Sequence, residues 1–255
     1  MSPQANLRYM LEDEYTKRDH RSELSYERPD PLLVARRYRD EWSALICALF
    51  AYGRAEGIVR FLDSLDFSLL DRDEEEIKAG LSGKYYRFQT TADIQALFLA
   101  LARMKASGES LNDLFLTAYR PDHRVIDGIA TLIRAIRNKV KHNSRGFDFL
   151  LGASPVNSSP YKRWNMYLRW MVRKDHLDMG LWRGVDKKDL IIPLDTHLFR
   201  VSRKLGLLHR KTCDIKAAEA LTSALARFSP DDPVKYDFAI YRLGQQASKK
   251  QVETN

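Results

Sequence analysis

Apolar residues recur every three to four positions along most of the chain, which is the period of an α-helix. No block of the sequence alternates apolar and polar residues as strands do, although residues 190–194, LIIPL, can form a short extended segment. The longest loop-like stretch is FDFLLGASPVNSSP, at residues 147–160. The pattern therefore predicts an all-α fold.

Caps and breaks in this pattern locate the individual helices and the domain. The first predicted helix covers residues 30–52, with Asp30 as its N-cap and Pro31 in its first turn. Further helices are predicted over residues 53–70, 90–107, 110–119, 122–141, 161–175, 195–208, 215–228 and 233–246. We expect one helical domain over residues 31–244, an N-terminal extension over residues 1–30 and a flexible tail over residues 245–255.

Basic residues are concentrated in one stretch of the sequence. From Arg134 to Lys211 there are 18 Lys and Arg against 6 Asp and Glu, whereas the net charge of the whole chain is +8. Such a stretch fits a surface that binds phosphates, and it fits a solvated surface without a partner equally well.

Several classes of protein are excluded by what the sequence lacks. The two cysteines and six histidines do not have the spacing of a metal site. No segment has the apolar core of a signal peptide or the length of a membrane span. We therefore expect a soluble, cytoplasmic protein with no metal and no cofactor.

The first segment with candidate chemistry is SSPYKRWNMYLRW, at residues 158–170. A Ser/Pro hairpin leads into a helix whose first turn holds Lys162 and Arg163. The free N–H groups and the dipole at the start of a helix attract anions, so this turn offers a seat for a DNA phosphate. A neutral lysine amine is also a nucleophile that attacks carbon. Taken alone, however, Lys162 would be interpreted as an ordinary exposed lysine.

The second segment is LIIPLDTHLFRVSRKLGLL, at residues 190–208, which places Asp195 at the start of a helix. The apolar residues after it form a stripe that is expected to face the core, and the basic residues between them point elsewhere. Taken alone, Asp195 would be interpreted as an N-cap, which is worth about 1 kcal/mol.

Together, the two segments resemble the helix-hairpin-helix/Gly-Pro-Asp superfamily of DNA base-excision glycosylases. PLDTHLFRVSRKLGL is similar to the segment around the essential aspartate of that superfamily, and SSPYKRWNMYLRW is similar to the second helix of its hairpin motif. The whole chain also resembles the DUF2400 family, through KRWNMYLRWMVRKD and IPLDTHLFRVSRKLGLL. The turn SSPYK lacks the usual Gly-x-Gly of the hairpin, and Tyr52 and Arg54 follow the first core helix where a Gln is usual. Base preference is therefore not transferred.

The superfamily resemblance implies a fold of two helical subdomains with a cleft between them, with the hairpin region at about residues 150–174 and the aspartate segment at residues 190–208. It implies that Asp195 is the catalytic aspartate, and that Lys162 is the Schiff-base lysine of members that also cleave the strand. The implied function is a DNA glycosylase, with AP-lyase activity, that flips a damaged or modified base out of the duplex and excises it.

Further contacts are predicted around these two residues. The expected base-pocket residues are Tyr52, Arg87, Gln89 and Trp182. The expected DNA contacts are Ser158, Ser159, Arg163, Arg169, Arg173, Lys174, His197, Arg200, Arg203 and Lys204. The expected partner is double-stranded DNA with a damaged or modified base, bound by a monomer near the nucleoid.

Two other functions stay open. A non-catalytic helical DNA-binding protein could retain the glycosylase fold, but it need not keep Lys162 and Asp195 together. An enzyme that acts on RNA or nucleotides is a third interpretation. The presence of both chemical residues favours the DNA glycosylase.

Overall fold

The computed structural model of the protein describes residues 3–152 and 158–244, and over these ranges the chain forms helices and no β-strand. The α-helices are α1 Pro3–Arg18, α2 Pro31–Tyr38, α3 Glu41–Leu49, α4 Ala55–Asp63, α5 Glu74–Gly80, α6 Thr91–Ala106, α7 Leu111–Tyr119, α8 Val125–Asn138, α9 Arg145–Leu151, α10 Lys162–Val172, α11 Thr196–Lys204 and α12 Ile215–Ala226. Residues 237–244 form α13. Short 3-10 helices cover Arg21–Glu23, Phe67–Asp71, Lys187–Asp189 and Pro233–Tyr236. The all-α prediction is confirmed.

Two parts of the predicted organisation cannot be compared with the fold. The predicted tail, residues 245–255, lies outside the described residues. So do residues 153–157 of the predicted loop. Residues 190–194, which the sequence allowed to be extended, form no strand.

The predicted helix over residues 30–52 is wrong, because the structure divides it into α2 and α3. Asp30 caps α2 as predicted, with its side chain accepting from the Leu32 N–H at 2.8 Å. Arg39 then adopts a left-handed conformation, with a φ of 52°. Asp40 accepts hydrogen bonds from the first backbone N–H groups of α3, so a second cap restarts the helix one residue later.

Three helices were not predicted from the periodicity, namely α1, α5 and α9. Local caps start two of them. Asp73 and Glu76 form a capping box at the start of α5, and Ser144 accepts from the Phe147 N–H at 2.9 Å at the start of α9. Both helices are only 7 residues long, so their apolar stripe is too short to give a periodic signal.

The chain forms two compact units. Unit 1 contains the described residues of Met1–Glu23, Ser158–Gly180 and Asp186–Asn255, and unit 2 contains those of Leu24–Asn157 and Leu181–Val185. Unit 1 therefore holds α1 and α10 to α13, and unit 2 holds α2 to α9. The predicted N-terminal extension contributes α1 to unit 1, where Glu12 accepts from Lys235 at 3.0 Å.

In unit 1, α10 supplies the centre of the core. Tyr167, Leu168, Trp170 and Met171 are all fully buried. Leu198 and Phe199 of α11 are buried as their stripe predicted. The buried faces of α10 and α11 fix the positions of the two helix starts. The candidate chemical residues, Lys162 and Asp195, lie at these starts.

In unit 2, α3 is buried on nearly all sides and α7 packs along α8. An aromatic cluster covers one part of this core, around Phe50, Phe61 and Tyr86. None of the helices in the described part of the chain combines the length and the apolarity that a membrane crossing needs.

Candidate functional site

Lys162 is the first residue of α10, at the end of a tight turn in unit 1. Tyr161, just before it, has a φ of 47° and is buried, which fixes the direction in which the chain enters the helix. The Ile215 N–H donates to the Ser158 carbonyl oxygen at 3.0 Å. The turn that carries Lys162 is therefore held on one side by α10 and on the other by the start of α12.

The Lys162 amine is half-buried and takes part in no ion pair among the described residues. Its Nζ lies 3.3 Å from the Met166 sulfur, one turn further along α10. A thioether is a weak acceptor, so this contact holds the side chain near the helix without engaging its charge strongly. The amine is thus not committed to a structural role.

Asp195 caps α11, as the sequence predicted. Its backbone is extended, with a φ of −111°, and its Oδ1 accepts from the Leu198 N–H at 2.7 Å. Within the described part of the chain, Oδ2 has no hydrogen-bond partner. The cap therefore fixes the carboxylate and leaves one oxygen for another contact.

Asp237, at the start of α13, joins Lys162 and Asp195 and was missed by the sequence analysis. Burial raises the pKa of Asp237, the positive charges of Arg169 and Lys162 oppose that rise, and the negative charge of Asp195 adds to it. Arg169 contacts Asp237 directly, and the charges of Lys162 and Asp195 are near enough to Asp237 to influence its pKa. One lysine and two aspartates, from the starts of α10, α11 and α13, therefore share one neighbourhood in unit 1.

Only a weak signal in the sequence could have indicated Asp237. It is a lone carboxylate in the otherwise apolar stretch YDFAIY, where burial requires a partner. That partner is Arg169, whose guanidinium contacts Asp237 directly. Cys213 is close to the same site, since burial and then the charges of Asp195 and Asp214 raise the pKa of its thiol.

The prediction that Arg169 and Arg173 contact DNA is wrong, because both guanidinium groups are buried in ion pairs. Arg169 contacts Asp178 at 3.2 Å as well as Asp237. Arg173 contacts Asp178, Asp175 at 2.8 Å and Asp232 at 2.9 Å. A buried guanidinium that already faces carboxylates cannot reach a phosphate.

Most of the other predicted DNA contacts lie at the surface of unit 1. Ser158, Ser159 and Lys174 are exposed, and Arg163 is half-buried. Arg200, Arg203 and Lys204 of α11 are exposed and have no carboxylate partner among the described residues.

His197 differs from these neighbours on α11. Its Nε2 donates to the Tyr241 carbonyl oxygen at 3.3 Å, and the two rings lie 5.2 Å apart. Since a carbonyl oxygen can only accept, Nε2 carries the proton. His197 therefore packs α11 against α13 through Nε2, and because the residue is only half-buried, its contact with DNA stays a prediction.

Two predicted base-pocket residues, Gln89 and Trp182, are structural in unit 2, so these predictions are wrong. Gln89 is 1% exposed and donates from Nε2 to the Gly146 carbonyl oxygen at 3.0 Å. Trp182 is 6% exposed and donates from Nε1 to Glu41 at 2.8 Å. Neither side chain has a free face on which a base could stack.

The other two predicted pocket residues, Tyr52 and Arg87, lie together in unit 2. The Arg87 guanidinium is 5.8 Å from the centre of the Tyr52 ring. The Tyr52 ring also contacts Phe88 and Phe149, which are 50% and 43% exposed. These four residues form an aromatic and basic surface that the sequence indicated only in part.

Metal ligands are not grouped within either unit. Among the described residues of each unit, no three His, Cys, Asp or Glu side chains lie close enough to share an ion.

The fold and the site thus define a class of protein: an all-α protein with a lysine and two aspartates at the starts of three helices. The chain belongs to the DUF2400 family, described as a protein of unknown function, which matches residues 30–246. No curated protein and no solved structure matches the chain. The resemblance to DUF2400 is confirmed, and because that family has no assigned function, a function has to be argued from the site.

Proposed function

We propose that the protein is a DNA glycosylase with AP-lyase activity, and that its fold is of the helix-hairpin-helix/Gly-Pro-Asp type. The observation that carries the proposal is the grouping of the Lys162 amine with Asp195 and Asp237 in unit 1. A nucleophilic amine beside carboxylates is the set of groups that cleavage of an N-glycosidic bond requires.

The chemistry assigns separate tasks to Lys162 and Asp195. The Lys162 amine, once it has lost its proton, forms a bond to C1′ of the sugar, and the electron pair of the C1′–N bond leaves with the base, which takes up a proton. Positive charge develops on the sugar in this step, and the free Oδ2 of Asp195 is suited to stabilise it. The C1′–O4′ bond of the sugar then opens, with O4′ taking up a proton, and the resulting Schiff base permits β-elimination and hence strand cleavage.

Access to the bond requires the target nucleotide to leave the duplex. Taken by itself, unit 2 carries a surface of Tyr52, Arg87, Phe88 and Phe149 that suits unpaired bases, since aromatic faces and guanidinium groups stack on them. The exposed turn at Ser158 and Ser159 and the cations of α11 supply contacts to the DNA backbone. The partner is double-stranded DNA with a damaged or modified base, bound by a monomer.

Borohydride trapping tests the proposal directly. The protein is incubated with duplexes that carry 8-oxoguanine, uracil, hypoxanthine, thymine glycol or alkylated purines, and a reduced covalent complex is measured. We expect trapping on at least one lesion, its loss in Lys162→Ala, and its retention in the matched control Lys187→Ala, an exposed lysine of the same unit. Asp195→Asn should slow excision by about 100-fold or more.

The same experiment separates the alternative. If the protein binds DNA but neither excises nor becomes trapped on any lesion, and Asp195→Asn changes nothing, the protein is a non-catalytic DNA-binding protein.

A further inference from the structure

A cavity of about 440 Å³ opens on the exposed side of α11 in unit 1, and its lining includes none of Lys162, Asp195 and Asp237. Its lining consists of Arg200, Arg203, Lys204, Leu208 and His209. Three of these side chains carry permanent positive charges and none is a carboxylate. Leu208, which is 2% exposed, contributes apolar surface.

Two of the three cations of this cavity, Arg200 and Arg203, are held in place without being neutralised. Arg200 donates from Nε to the Thr196 carbonyl oxygen at 3.2 Å. The Arg203 guanidinium lies 5.8 Å from the centre of the Phe199 ring. Both contacts restrain a flexible side chain and leave its charge available, so less conformational entropy is lost when an anion binds.

The spacing of the charges also indicates the kind of anion. Arg200 and Lys204 are four positions apart on α11, so their Cβ atoms are about 6 Å apart on one face, with Arg203 beside them. A single small anion would leave part of this charge unsatisfied. A chain of anionic groups would engage all three cations.

We infer that this cavity binds consecutive phosphates of a nucleic-acid strand, with about one phosphate for each of its three cations. The residues that line the cavity indicate that its ligand carries phosphates. The inference that these phosphates belong to a nucleic acid rests on the proposed function. The cavity would then supply affinity that depends on salt and not on base sequence.

The test compares two double variants with the same change in charge. Arg203→Gln with Lys204→Gln removes two cations of the cavity. Lys187→Gln with Lys188→Gln removes two exposed cations elsewhere in unit 1, which lie 4.0 Å from Asp232 and 3.7 Å from Asp186. Binding of a fluorescent duplex of undamaged DNA is measured by anisotropy between about 50 mM and about 200 mM salt.

We expect the slope of log affinity against log salt to fall by about 2 in the cavity variant and to stay unchanged in the control. Lys204→Gln alone should lower the slope by about 1. Its side chain is exposed and has no described contact, so folding does not limit this measurement.

Two results would overturn the inference. An equal loss of slope in the control would mean that the cavity is no different from the rest of the charged surface. The second result is that the unmodified protein binds ATP, that the cavity variant does not, and that the salt slope of DNA binding is the same in both. This result would identify a free nucleotide as the source of phosphate. Because undamaged DNA needs no chemistry, failure of Lys162 trapping would contradict the glycosylase proposal alone and leave this result standing.

Discussion

Two sets of basic residues in unit 1 look alike in the sequence and differ in the structure. Arg169 of α10 and Arg173, the C-cap of that helix, form the α10 set; they are 3% and 4% exposed and face carboxylates. Arg200, Arg203 and Lys204 of α11 are exposed, and in the described part of the chain no carboxylate pairs with them. The difference shows that one basic stretch of sequence contains two kinds of residue: some stabilise the fold through ion pairs, and others remain available to a partner.

Four carboxylates neutralise the α10 set, and two of them, Asp175 and Asp178, are close to it in the sequence. The other two are distant, so local sequence distinguishes the two sets only in part. Asp232 and Asp237 lie beyond residue 211, outside the basic stretch, and reach α10 only in the folded chain. The net charge of a segment therefore overstates what a phosphate would meet there.

The largest expected effect comes from breaking the α10 set. Arg173→Met should destabilise the fold by about 3–5 kcal/mol, because it leaves Asp178, Asp175 and Asp232 without their shared cation. Urea unfolding followed by circular dichroism measures this. If the free energy of unfolding falls by less than about 1 kcal/mol, these ion pairs contribute little to stability. The α10 set and the α11 cations would then differ only in how exposed they are.

A second, smaller effect extends the comparison to unit 2, where Trp182 is buried and Phe88 is half-exposed. Trp182→Phe removes the hydrogen bond to Glu41, and since that acceptor is charged, we expect a loss of about 1.5–3 kcal/mol. Phe88→Ala is the matched control and should cost less stability. It should instead weaken the binding of single-stranded DNA, measured by anisotropy. If Trp182→Phe weakens DNA binding and leaves stability unchanged, the assignment of Trp182 to the core is wrong.

A third effect appears only in acid and reports on the α10 set again. Burial alone would raise the pKa of Asp175, but Arg173 and backbone hydrogen bonds from Asp178 and Leu177 lower it below its ordinary value. A carboxyl with a lowered pKa stabilises the fold above its ordinary pKa, of about 4, and this contribution is lost as the pH falls through the folded-state value.

The unfolding free energy should therefore fall more steeply below pH of about 4 in the unmodified protein than in Asp175→Asn. Asp186→Asn, at an exposed carboxylate of the same unit, is the control and should keep the steep fall. Equal slopes in the unmodified protein and in Asp175→Asn would contradict the role of Arg173 in holding this carboxylate charged.

Local signals predicted much of the fold and two of the three residues of the candidate site. The caps at Asp30 and Asp195 and the helix after Tyr161 follow from residues that are adjacent in the sequence. The left-handed turn at Arg39 and the burial of Gln89 depend on contacts with distant residues, so periodicity alone could not indicate them.

The third residue of the site, Asp237, was missed for the same reason. Asp237 lies 42 residues beyond Asp195, and its position beside Lys162 depends on how α13 packs against α10 and α11. Nothing in the local sequence of α13 contains that information.

The smallest expected effect on stability completes the comparison at Lys204. Lys204→Gln should change the free energy of unfolding by less than about 0.5 kcal/mol, because the side chain is exposed and has no described partner. The same variant should still lower the salt dependence of DNA binding. Urea unfolding and DNA titration on one preparation measure both quantities. A loss of stability as large as that of Arg173→Met would mean that the α11 cations are structural too, and the distinction between the two sets would then fail.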